Sequence, residues 1–185
     1  MSELRFETRS LQLLIAITFF VTTHLLWQHA NGGVVSHHLL YSTALPEISN
    51  WWSMIVLPAL TWFVSVNLKS RVVCSQLDKS KVINKVRAVK LAFLVMLLLA
   101  VLQSISFVIH GLDVLLVCTV MLLVAGLILP IYRAECVLAY VVGNFLVFGA
   151  VTPFLIITLI ALVSYLSNLV FKPILMNVLN LKAAA

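Results

Sequence analysis

Histidines and carboxylates are the side chains of this 185-residue chain best suited to chemistry, and they are unevenly spread. The five histidines are His24, His29, His37, His38 and His110, and Glu47 and Asp113 lie in the same stretches of sequence. Neutral imidazole ligates zinc, copper, nickel and haem iron, and carboxylates complete such sites. Imidazoles also relay protons or answer a fall in pH. A metal centre built here, for a transition metal or a haem, would draw on His24, His37, His38, His110 and Glu47. Spacing supplies no local metal motif. There is no H-E-x-x-H, and His24 and His29 stand about 140° apart around a helix, so they do not share a face. Such a site has to be assembled from separate segments. The bland alternatives stand beside it: His110-Gly111-Leu112-Asp113 also reads as a helix corner, and His29, His37 and His38 as wet interfacial residues.

Neutral polar residues inside apolar runs form a second set. Gln103, Ser106 and His110 fall at i, i+3 and i+7 of one run, on one helix face. Asn144 lies at a comparable depth of a later run, with Tyr140 one turn away. These four, Gln103, Ser106, Asn144 and Tyr140, could line a vestibule beside His24, or act as polar glue between helices. Other chemistries lack their residues. Cys74, Cys118 and Cys136 make no C-x-x-C, so a thiol–disulfide oxidoreductase is disfavoured. There is no Walker A motif and no Gly-x-Ser-x-Gly. No Asp, Glu, Lys or Arg lies in the middle of an apolar run, against a carboxylate-driven pump, a voltage sensor or a Schiff-base photoreceptor.

The elements that must hold these residues follow from composition. The chain is 63% hydrophobic and 10% charged, with a mean hydropathy of +1.14. Soluble domains are typically about 45–50% apolar and about 25% charged. An ordinary soluble globule, a disordered chain and a nucleic-acid-binding domain are thereby excluded, and a polytopic membrane protein is expected. Spans are expected over about 11–29, 51–68, 91–109, 112–131, 136–149 and 153–171. The last two come from one uncharged run, Cys136 to Phe171, which as a single helix would be about 54 Å long. That exceeds a hydrocarbon core of about 30 Å, and Gly149, Thr152 and Pro153 supply a break. Pro58 should bend the second span. Residues 30–50 read as an outer loop, interfacial or re-entrant, with a short interfacial helix the simpler form. The first apolar run follows Glu3 and Glu7 and is too long for a signal-peptide core, so it is expected to be a mature span.

Charge orients this topology. With both termini cytoplasmic, all twelve Lys and Arg fall inside, including the basic stretch 69–90 and Lys172 and Lys182 after the sixth span. A five-span count would put those last two lysines outside. The expected fold is therefore an all-α integral membrane protein, a six-transmembrane-helix bundle. It is one polytopic domain over 1–182 with a short tail, 183–185, in the plasma or inner membrane. Expected partners are the lipid bilayer, anionic lipid at Lys69–Lys90 and a second copy or a larger membrane complex, with no nucleic acid. The favoured function is a channel or transporter for a small solute or metal ion, with an outward histidine-rich vestibule. The alternatives are a membrane metalloprotein (a redox unit or a metal-dependent hydrolase) and a non-catalytic accessory subunit. Whether the protein is an enzyme stays open at this point.

Overall fold

A computed structural model of the chain describes residues 3–38, 46–72, 79–171 and 173. Six helices account for nearly all of it: α1 (Glu3–Ala30), α2 (Ser53–Val72), α3 (Lys79–His110), α4 (Leu112–Ile128), α5 (Ala134–Phe148) and α6 (Val151–Leu166). A π-helical turn, Ser167–Phe171, extends α6. Four segments are long and apolar enough to cross a membrane: Phe6–Ala30, Asn50–Arg71, Val82–His110 and Val151–Val170. The apolar helices α4 and α5 are shorter. The chain is thus helical with several membrane-length apolar helices, as its composition requires.

Each boundary has a local cause. After α1, Gly32 and Gly33 adopt positive φ and turn the chain. Ser36–His38 (β1) and Glu47–Ser49 (β2) then pair antiparallel, with His37 opposite Ile48 and His38 opposite Glu47. The short interfacial helix expected in this loop is therefore not what its described ends form. The β-branched Val34, Val35 and Ile48 in and beside the strands favour extended backbone. Ser49 caps the 3₁₀ turn Asn50–Trp52 that leads into α2. Pro58 removes one backbone hydrogen bond early in α2, and the helix runs on through it.

Between α3 and α4 only Gly111 intervenes, at φ 80°, so the expected tight corner at His110-Gly111 is present. The expected break near residue 149 is present too. Gly149 ends α5 at φ 70°, and its N–H donates to Phe145 O at 2.9 Å. The next helix begins at Val151, so Pro153 sits in its first turn rather than at its first position, and Thr152 is not its cap. Pro130 separates α4 from α5. Ser164 holds that loop by accepting from Ile131 N–H and donating to Leu129 O.

The core is built around α5, which packs against α2, α3 and α6. Leu138, Ala139, Tyr140, Val141, Asn144 and Phe145 are all buried. Gly143 lets α3 approach closely: a Cβ there would meet Ala100 Cβ at 2.6 Å and Leu97 O at 3.1 Å. By contrast α1, α3 and α4 expose continuous apolar faces, among them Phe19, Leu98, Leu102, Val117 and Met121. Lipid rather than water is the fitting surround for such faces.

Contacts between helix ends define two poles. At one, Lys69 Nζ donates to Glu7 Oε1 at 2.6 Å and Arg71 pairs with Glu135. At the other, Asn50 lies against Gly149, and Phe107 against Phe148. Every Lys and Arg among the described residues belongs to the Glu135 pole, while His24, His29, His110, Glu47 and Asp113 belong to the Gly149 pole. Lys172, Lys182, Cys74, Asp78 and the tail 183–185 lie outside the described residues.

Candidate functional site

Two features stand out, one at each pole. The first is a cavity of about 420 Å³ bounded by α1, α2, α3 and α5. Leu13, Ile17, Val64, Leu68, Phe93 and Leu138 make its walls, and Thr61 and Ser65 add hydroxyls. Those hydroxyls bond back to Leu57 O and Thr61 O in their own helix. Arg9, Lys90 and Glu135 stand at its rim. The volume falls within the roughly 300–1,000 Å³ usual for small-molecule sites.

Among the described residues Glu135 is the one buried carboxylate, 1% exposed. Arg71 Nη1 donates to its Oε2 at 3.0 Å and to its Oε1 at 3.4 Å. Both charges sit where helix dipoles favour them, Glu135 in the first turn of α5 and Arg71 in the last turn of α2. The pair therefore ties α2 to α5 and neutralises the deepest charge at the rim.

The second feature is a chain of hydrogen bonds near the Gly149 pole. Ala150 N–H donates to Ser53 Oγ at 2.9 Å, and Ser53 Oγ donates to Asn50 Oδ1. Asn50 Nδ2 donates to Gln28 Oε1 at 3.2 Å, and Gln28 Nε2 lies 3.1 Å from His24 Nε2. With Gln28 Oε1 engaged by Asn50, its amide nitrogen is left to donate to the imidazole. All donors thus point toward His24, whose ring must be neutral at Nε2 to accept. Protonation there would set two donors face to face. The other side of the ring packs on Phe145, with centroids 5.0 Å apart. Between this chain and the cavity lie Val21, Leu25, Leu57 and Phe145, a layer with no appreciable exposure.

The residues expected to form a site are distributed as follows. His24 heads the chain just described, while His110 is exposed at the end of α3. Glu47 is exposed in β2, and His37 and His38 lie in β1 with side chains outside the described residues. Among the described residues, no group of three or more His, Cys, Asp and Glu side chains converges to hold a metal ion.

Of the four polar residues read as vestibule or glue, Gln103 and Asn144 make hydrogen bonds between helices. Gln103 Nε2 donates to Thr119 Oγ1 at 3.0 Å, joining α3 to α4. Tyr140 is buried on α5. Asn144 accepts from Ser104 Oγ at 2.9 Å and donates to Tyr140 O. Ser106 is half-buried, and its neighbour Ser104 makes the contact instead. Sequence reasoning missed Gln28, Asn50 and Ser53, which look like ordinary polar residues at span ends. It also missed the Arg71–Glu135 pair, which joins segments 64 residues apart. Only the apolar neighbours of Glu135, from Cys136 onward, hinted that its carboxylate would be buried.

Comparison with protein-family models, with curated proteins and with solved structures finds no match to this chain.

Proposed function

We propose that the protein is a carrier-type membrane transporter for a small solute. Its six helices span the bilayer with both termini cytoplasmic, and its cargo site is the cavity at the Glu135 pole. The observation that carries this reading is the cavity itself: about 420 Å³, with Arg9, Lys90 and Glu135 among its lining residues. A carrier needs such a site, reachable from one side at a time, near the middle of the bundle. The closing element is the layer Val21, Leu25, Leu57 and Phe145 beneath the chain from His24 to Ala150. In this assignment His24 serves as a gate residue, and the basic pole faces the cytoplasm by the positive-inside rule. The contacts of Gln103 with Thr119 and of Asn144 with Ser104 then hold the gate's supporting helices together. A metal centre and a purely accessory role have no comparable observation behind them.

Accessibility tests this. In a chain with its native cysteines replaced, Ser65→Cys and Thr61→Cys are placed in the cavity and the protein is reconstituted in vesicles. A membrane-impermeant thiol reagent should modify both from the Glu135 side alone. Adding Asn50→Ala, which cuts the hydrogen-bond chain, should admit reagent from the Gly149 side. Equal modification from both sides of the parent, or none from either, would refute a gated cavity.

A further inference from the structure

The cavity is not symmetrical about its walls, and its rim has unspent charge. Helix α1 packs on α2, α3 on α5, and α2 on α5, while α1 and α3 scarcely touch. Both still line the cavity. The opening therefore lies between α1 and α3, and it faces sideways as well as toward the Glu135 pole. On the reading of these helices as membrane-embedded, that sideways opening meets lipid.

At the rim the cations outnumber the available anions. Glu7 is engaged by Lys69 and Glu135 by Arg71. Arg9 on α1 and Lys90 on α3 line the same cavity from opposite sides of the gap, and neither has an ion-pair partner among the described residues. Deeper in, the wall is apolar for roughly 12 Å along α1, from Arg9 to Ile17. Two cations over a long apolar slot suit an amphiphile with an anionic head, since guanidinium and ammonium both bind phosphate oxygens.

We propose that the gap between α1 and α3 is a binding site for one anionic phospholipid. Its phosphate lies between Arg9 and Lys90, and one acyl chain enters the cavity beside Leu13, Ile17, Phe93 and Leu138. This rests on the transport reading and replaces its small solute by an anionic amphiphile as what the cavity holds. It differs from a diffuse attraction to the basic stretch 69–90, because it requires two particular cations and a filled slot.

Native mass spectrometry of the full chain in detergent separates these cases. The protein is titrated with phosphatidylglycerol or with phosphatidylcholine of the same acyl chains. One phosphatidylglycerol per chain should bind in preference to phosphatidylcholine. The double variant Arg9→Ala/Lys90→Ala should lose about tenfold in phosphatidylglycerol affinity and keep its phosphatidylcholine affinity. The double variant Lys85→Ala/Arg87→Ala removes equal charge from exposed positions of α3 that do not line the cavity, and it should change nothing. Ser65→Trp, or the smaller Ser65→Phe should the first not fold, fills the slot and should weaken both lipids with every charge intact.

Equal losses in the two double variants would overturn the proposal in favour of diffuse charge. So would unaltered binding in the slot-filled variant. Displacement of the lipid by excess inorganic phosphate would overturn it in favour of a free-anion site. Run in vesicles of phosphatidylcholine alone, which lack the anionic lipid, the thiol-accessibility test reads the gate separately, so loss of the lipid site and loss of the gated cavity are told apart.

Discussion

Among single residues, the greatest consequence attaches to Glu135. Its carboxylate is 1% exposed, and its partner Arg71 has a side chain 42% exposed. Removing one member of a fully buried pair costs about 3–5 kcal/mol. Because Arg71 is half in solvent, Arg71→Ala should cost about 2 kcal/mol, and adding Glu135→Gln should restore part of it, because a buried amide carries no unpaired charge. Unfolding of the detergent-solubilised variants by a denaturing detergent measures both. Gly149 is the second such residue. Its φ of 70° disfavours any Cβ, and a Cβ there would meet Asn50 Oδ1 at 2.7 Å. Gly149→Ala should therefore cost about 2 kcal/mol. Gly126→Ala is the comparison: its Cβ would meet its neighbours at 3.4 Å or more, inside a helix that gains from alanine. Its unfolding midpoint should stay at or slightly above that of the parent.

Among the helices, α5 is the hub although it is one of the two short ones. It is short because Gly149 stops it at one end and the Pro130 loop fixes its start at the other. It can be central because Gly143 presents no side chain, which lets α3 lie almost backbone to backbone against it. Gly143→Ala should thus cost about 1–3 kcal/mol by overpacking against Ala100. Ala100→Gly in the same chain should recover part of the loss. A double-mutant cycle that came out additive would mean the two helices are not coupled at this crossing. The pairing of small residues was visible in the sequence as Ala139-x-x-x-Gly143. That Ala100 is its partner was not, since no pattern within one helix says which neighbour lies across it.

Over the whole molecule, segregation of the described lysines and arginines to one pole is the strongest property. In a chain with native cysteines replaced, an impermeant maleimide on intact cells should label His29→Cys and Asp113→Cys. Lys85→Cys, Arg133→Cys and Ala184→Cys should label only after lysis. Labelling of Ala184→Cys alone from outside would leave an odd number of spans, and labelling of the whole second group would invert the protein. The same segregation explains why the histidines seemed to form a cluster. They share a pole because they are not lysine or arginine, and among the described residues they do not converge on a common point.

Membrane class, helical make-up and the breaks at Gly111 and Gly149 were legible in the linear chain, because each rests on a local cause: apolar length, the absence of mid-span charge, and backbone freedom at glycine. Separation of the basic residues from the histidines was legible for the same reason, as a count along the chain. Which polar residue meets which was decided only by helix packing. His24 is joined to Gln28, Asn50 and Ser53 and not to His110, Asn144 chose Ser104 over Ser106, and Arg71 found Glu135. In an apolar bundle every polar group needs a partner, but its identity depends on crossing points and rotations that hydrophobicity, nearly uniform around these helices, does not encode. The cavity belongs to that second class: it exists because α1 and α3 pack on different neighbours and leave a gap between them.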